Sequence, residues 1–278
     1  MVESFAGKVA FITGVARGLG RNHAVRLARS GATVVGIDIS EDGPTDGSPT
    51  ATSADLAETR KLIEAEGADC QLTHADVRDL DAVIEAADRA VESFGGIDIV
   101  IANAGICKVE GSTWELSAEQ WQKTIDVNLT GVFNTFRATV PAMITAGRGG
   151  SIIAISSTAG LKGIPGQSHY SASKHGVMGL VKSLANELFP HNIRVNAVNP
   201  GSVGTVMIRN DAMYQEFRPD VPQATEDDAI VAMTELNGFA VPWVEVDDVS
   251  DAVLWLASES SRYVTGHALP VDAGFMAK

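Results

Sequence analysis

A doubly wound α/β fold, a seven-stranded parallel sheet with helices on both faces of a single domain, is what this sequence predicts. Three observations carry the prediction. Short β-branched or apolar runs alternate with longer segments of helical period. That alternation persists from the first run to the last, which calls for right-handed crossovers and a sheet covered on both faces. The 278 residues show neither a repeat nor an interdomain linker, so residues 1–278 form one domain with one large core.

The strands are expected in order at residues 8–14 (KVAFITG), 33–38 (TVVGID), 70–77 (CQLTHADV), 97–105 (IDIVIANAG), 150–157 (GSIIAISS), 193–201 (IRVNAVNPG) and 268–274 (ALPVDAG). Helical segments separate them: 20–31, 53–67, 80–95, one long segment over 117–147, the segment around Tyr170, and 246–258. Two stretches interrupt the rhythm. Residues 40–55 form a Gly/Pro/Ser/Thr loop, long for an α/β turn. Residues 202–246 form an insert with two weakly amphipathic pieces, rich in Met, Phe and Trp.

Composition excludes several classes. Hydrophobic residues are 45% and charged residues 20%, the balance of a soluble globular protein. A net charge of −14 disfavours nucleic acid, which needs a basic stripe, and an anionic membrane surface. Cys70 and Cys107 are far apart with no CxxC, and no signal layout or membrane-length apolar run is present, so a cytoplasmic setting is expected. The six histidines are scattered without HExxH, which argues against a metal site.

The sequence TGVARGLG (13–20) follows the first strand and opens the first helix. Gly14, Gly18 and Gly20 allow a tight turn and close approach to a pyrophosphate, with Arg17 and Leu19 between them. Asp38 ends the second strand, at the spacing of a carboxylate that takes both adenosine ribose hydroxyls and repels a 2′-phosphate. Ile39 and Ser40 supply no positive charge, so NAD is expected over NADP. Arg17 is read as a surface arginine near the pyrophosphate. Further along, Tyr170 and Lys174 share a helix face that continues as Val177, Val181, Leu184 and Leu188. A lysine at the head of an apolar face is costly to bury unless it has a partner.

Taken in order, TGVARGLG, ADV, ANAG, NLTG, ISS, YSASK, NPG and TG…VDAG resemble the short-chain dehydrogenase/reductase family almost end to end. The resemblance implies a Rossmann fold and a catalytic tetrad of Asn128, Ser157, Tyr170 and Lys174. It places Asp76 and Val77 at the adenine, and Asn103, Ala104 and Gly105 along the cofactor. Pro200, Val203 and Thr205 fall at the nicotinamide end, and Tyr170 and Lys174 also meet the cofactor. A free tyrosine has a pKa of about 10, so Lys174, together with the positive charge of the oxidised nicotinamide, is expected to lower it and make Tyr170 a usable base, with Ser157 holding the substrate oxygen.

Within that family the chain is most similar to the mycofactocin-coupled, carveol-dehydrogenase-like subgroup, through RNHAVRLA, the 40–55 loop, WELSAEQWQKTIDVNLTG and AGLKGIPGQSHYSASKHG. That implies NAD held for long periods, with the 40–55 loop near the adenosine. The insert carries Met207, Ile208, Met213, Tyr214, Phe217, Met233, Phe239 and Trp243, read as a lid over an apolar pocket, with Trp243 closing it. The expected substrate is a small lipophilic secondary alcohol or its ketone. Two alternatives stand beside it: an NADP-linked 3-oxoacyl-thioester reductase and a non-catalytic NAD-binding protein. A homotetramer, packed through the Tyr170 helix and the 128–146 helix, is implied by the resemblance.

Overall fold

A computed structural model describes residues 4–39 and 50–278. The seven expected strands are present: β1 Val9–Thr13, β2 Thr33–Asp38, β3 Cys70–His74, β4 Ile99–Ala102, β5 Gly150–Ile155, β6 Ile193–Pro200 and β7 Ala268–Val271. They form one sheet in the order β3-β2-β1-β4-β5-β6-β7, and every pair is parallel. The helices among the described residues are α1 Gly18–Arg29, α2 Ser53–Ala65, α3 Leu80–Phe94, α4 Ala118–Ile125, α5 Gly131–Ala146, α6 Ser168–Leu188, α7 Asp211–Phe217, α8 Glu226–Leu236 and α9 Val246–Ala257.

β1 shows why this sheet needs two covering layers. All five of its residues are buried. Because successive side chains point to opposite faces, Val9 and Phe11 enter the core shared with α3, α5 and α6, while Ala10 and Ile12 enter the core shared with α1 and α9. Burying a side chain such as Phe11 contributes about 1.5–3 kcal/mol. The fold therefore rests on two apolar layers rather than on surface charge.

Strand order reverses between β1 and β4. Loops leaving the carboxyl ends of those two strands run in opposite directions and open a crevice between them, the place where open α/β sheets take ligands. Strands β3 and β4 stop short of the expected ends, at His74 and Ala102. Asp76, Val77 and Asn103–Gly105 consequently sit in the loops around the crevice, free of ladder bonding. The long 117–147 segment is not one uniform α-helix either: a π-helical turn at Asp126–Thr130 joins α4 to α5. Residues 40–49 of the expected adenosine-side loop lie outside the described residues. Its end is ordered by Thr52, whose hydroxyl caps α2 in a reciprocal pair with Asp55.

Candidate active site

A cavity of about 580 Å³ lies along the carboxyl edge of the sheet. At one end is the glycine loop. Gly14 has φ +69°, and a Cβ there would fall 2.8 Å from Asn103 Nδ2 and 2.9 Å from Ala104 Cα, so no larger residue fits the cradle. Asn103 fastens the loop to the end of β4: its Nδ2 donates to Thr13 O (2.9 Å) and Gly14 O (3.1 Å). Thr13 Oγ1 in turn accepts from the backbone N–H groups of Asn103 and Ala104. Arg17 is the N-cap of α1 and makes no side-chain cap, so the first-turn N–H groups are not claimed by it.

Gly14, Arg17, Gly18 and Leu19 line the cavity, as do Asp38 and Ile39. Gly20 stands behind the wall, packed against Gly14 O so closely that a Cβ would lie 1.9 Å away. Asp38 Oδ2 accepts from Ala16 N at 2.8 Å, which fixes the carboxylate at the loop. Asp76 and Val77 are also in the wall, as are Asn103, Ala104 and Gly105. Desolvation works against ionisation of Asp76, but the hydrogen bonds and charge of Arg78 outweigh it and leave the carboxyl below its usual range.

The middle of the cavity holds Ser157, Tyr170 and Lys174. Ser157 follows β5, its Oγ accepts from Ala159 N at 3.1 Å, and it lines the cavity together with Tyr170. Asn199 Nδ2 holds Ser157 from behind through its carbonyl (2.8 Å). Lys174 is buried, as its place on the α6 face requires, and its Nζ donates to Ile155 O at 2.9 Å while lying 5.6 Å from the Tyr170 ring centre. That carbonyl is the partner the apolar face demanded.

Asn128 does not reach the cavity surface. The π-turn aims it at Ile106, whose N–H it accepts and whose carbonyl it bonds, both at 2.8 Å. Its Oδ1 and Lys174 Nζ both lie within about 3.5 Å of where a Cβ on Gly105 would stand, so the two side chains back the same loop.

Burial pushes the Tyr170 phenol above its ordinary value, the Cys107 thiol adds to the rise, and the lowering effect of the Ser157 hydroxyl only partly offsets it. The net direction is upward although Lys174 Nζ lies 5.6 Å from the ring centre. Burial also pulls Lys174 itself down to about 8, against an opposing effect from Cys107, and lifts Cys107 to about 12.

The far end is covered by the insert. Pro200, Val203 and Thr205 line the wall, followed by Met207 and Ile208 and then Met213 and Phe217 of α7 and Met233 of α8. Three residues assigned to the lid from sequence are elsewhere. Tyr214 is turned to Glu226, Phe239 is 72% exposed, and Trp243 packs beside Gly204 with its Nε1 on Glu245 (3.1 Å). Other wall residues escaped the sequence reading: Ile106 and Cys107, directly after the ANAG motif, Gln167, and Phe275, directly after VDAG. Arg21 also escaped it; from α1 it grips Ala16 O and Thr59 Oγ1 and buttresses the glycine loop.

The fold and this arrangement define a nucleotide-dependent oxidoreductase class, and comparison with known proteins agrees. The sequence model of the family described as Enoyl-(Acyl carrier protein) reductase matches residues 14–276, and the chain belongs to the short-chain dehydrogenase/reductase family. It is 48% identical to (-)-trans-carveol dehydrogenase of Rhodococcus erythropolis over 268 residues, covering 96% of this chain and 97% of that protein. Among solved structures it is similar to carveol dehydrogenase from Mycobacterium avium in complex with NAD, with a TM-score of 0.96, 47% identity, and coverage of 99% and 100%. A short chain dehydrogenase from Mycobacterium paratuberculosis bound to NAD gives 0.90 and 39%, with coverage of 99% and 100%. Among the described residues no cluster of three or more His, Cys, Asp or Glu is placed to hold a metal, and no helix is long and apolar enough to cross a membrane.

Proposed function

We propose that this protein is an NAD-dependent oxidoreductase that interconverts a lipophilic secondary alcohol and its ketone, with Tyr170 as the general acid/base. The observation that carries the reading is the placement of Ser157, Tyr170 and buried Lys174 in one cavity with the glycine cradle and Asp38, Lys174 Nζ lying 5.6 Å from the Tyr170 ring centre. The dinucleotide fits the residues present. The Gly14 cradle excludes any Cβ, the α1 N-terminus suits a pyrophosphate, and the Asp38 carboxylate suits two ribose hydroxyls. That two NAD-bound relatives match the whole chain supports NAD over NADP.

NAD, when bound, supplies the hydride acceptor and a positive charge. The remaining work falls to side chains of this chain. Ser157 Oγ holds the substrate oxygen within reach of the Tyr170 hydroxyl, and Tyr170 takes the alcohol proton or returns it to the ketone. Burial holds Tyr170 protonated in the protein alone, so its ionisation depends on positive charge gathered around it. Lys174, anchored on Ile155 O, supplies one such charge below pH about 8. Asn128 positions the Ile106 backbone against which these groups stand. Met207, Met213, Phe217 and Met233 exclude water and favour an apolar substrate over a charged one.

The testing experiment assays the purified chain with (-)-trans-carveol and cyclohexanol, using NAD or NADP, together with a 3-oxoacyl thioester. NAD-linked oxidation of a cyclic alcohol is expected. Preferential NADP-linked reduction of the thioester would overturn the reading in favour of the acyl reductase, and nucleotide binding without any turnover would favour the non-catalytic alternative. The resemblance also supports a homotetramer, a cytoplasmic setting and long retention of NAD. Sizing the purified protein tests the first, and looking for nucleotide released on denaturation tests the last.

A further inference from the structure

The chain after β7 does more than end the fold. Ala273 O accepts from the N–H groups of Gly238 and Phe239, both at 2.9 Å, in the segment just beyond α8. Gly238 and Gly274 face each other so closely that a Cβ on Gly238 would meet Gly274 backbone at 3.2–3.3 Å. The terminal Lys278 Nζ donates to Asn237 O at 3.1 Å and to Glu235 O. Asp272 stiffens the turn between these anchors by accepting from Gly274 N and Met276 N. The tail thus grips the end of α8 at several points spread over residues 235–239.

Phe275 sits inside this grip and faces the other way. Its ring is part of the cavity wall, beside Leu236 and Asn237. On its other flank the Lys162 ammonium lies 4.1 Å from the ring centre. Lys162 belongs to the turn that follows Ser157, where its N–H bonds Thr158 O. Phe275 therefore links the cavity wall at the end of α8 to the turn that follows Ser157.

We infer that residues 272–278 are a latch on the substrate cover and that Phe275 is a specificity-determining residue, packing against the apolar body of a bulky alcohol. The selectivity half rests on the alcohol-oxidoreductase reading; the latch half does not. A half-buried ring in the cavity wall offers contact area to a cyclic substrate that a short acyclic one cannot use. A cation over its outer face holds the ring in place without adding charge to the cavity.

The test uses the full-length chain with NAD and compares kcat/KM for (-)-trans-carveol and for 2-butanol. Phe275→Ala should lower the carveol-to-butanol ratio about tenfold, chiefly by raising KM for carveol, with KM for NAD unchanged. Phe275→Leu, which keeps most of the volume, should recover much of the ratio and guards against a folding artefact. An unchanged ratio in both variants would overturn the selectivity role. Turnover of neither alcohol by the wild-type chain would refute the oxidoreductase reading and the selectivity role with it. The latch is read separately by hydrogen exchange: deleting residues 275–278 should speed exchange at Gly238 and Phe239 about tenfold or more, because they open with the tail. Unaltered protection there would overturn the latch.

Discussion

The floor of the cavity and its cover are built by different rules. On the floor, four polar side chains are tied to backbone: Lys174 to Ile155 O, Asn128 to both polar groups of Ile106, Asn103 to Thr13 O and Gly14 O, Asn199 to Ser157 O. The cover has backbone ties of its own, such as Asn210 to Val206 O and Asn237 to Val241 O, and adds pairs between side chains. Arg209 and Tyr214 share Glu226, Arg218 pairs with Asp220, and Trp243 bonds Glu245 while stacking under Arg209. A backbone anchor cannot rotate away, so floor groups keep their geometry to the accuracy that proton transfer needs. Half-exposed side-chain pairs are each worth about 0–1 kcal/mol and can exchange partners, which suits a surface that must fit a substrate and release it.

If that contrast holds, floor substitutions should break function and cover substitutions should only tune it. Asp38→Arg removes the carboxylate proposed to take the adenosine ribose and adds a cation. NAD preference over NADP should fall by about 100-fold, the worth of hydrogen bonds to a charged group. Retained NAD preference would remove Asp38 from the account.

Lys174→Met should abolish turnover yet raise stability at neutral pH. The sign follows from the depressed pKa. Folding pulls Lys174 from 10.5 to about 8, so the unfolded chain binds the extra proton between those values. The wild type is therefore penalised by about 3 kcal/mol below pH 8, and the penalty fades as pH rises toward 10.5. Thermal unfolding of both chains across that range should show the Met variant's advantage greatest at pH 8 and below and shrinking above it. A pH-independent difference would show that Lys174 is not buried as a charge.

Smaller effects belong to the cover. Phe217→Ala in α7 should change relative kcat/KM among cyclic alcohols by about tenfold while leaving NAD affinity alone. Arg209→Met, which cuts the pair to Glu226, should change KM for alcohol less than about fivefold and leave kcat intact. A large kcat loss from Arg209→Met would erase the distinction between floor and cover.

The same contrast explains what sequence could reveal. The strands announced themselves because burial on both faces demands apolar runs, and the glycine loop and Asp38 did so because phosphate approach demands small residues at fixed spacing. Tyr170 and Lys174 were visible as neighbours on one helix face. Cavity membership is another matter, because it depends on packing between distant segments. Phe275 and Trp243 are both aromatic and both follow ordinary loop residues, yet one lines the cavity and the other turns to Glu245. Asn128 could be placed on a helix but not aimed, since the π-turn that points it at Ile106 leaves no periodic signature. The rise at Tyr170 was hidden for a similar reason: spacing shows that a lysine is near, while desolvation depends on the whole surrounding wall.

The central claim is that Tyr170 moves the proton in a site otherwise complete for nucleotide. The most direct measurement places Tyr170→Phe beside the wild type, recording NAD binding by calorimetry and oxidation of (-)-trans-carveol on the same preparations. The account predicts unchanged NAD affinity within about threefold and a fall in kcat/KM of about 10²–10⁴, the range for loss of a positioned acid/base. A Phe variant that turns over at the wild-type rate would contradict it.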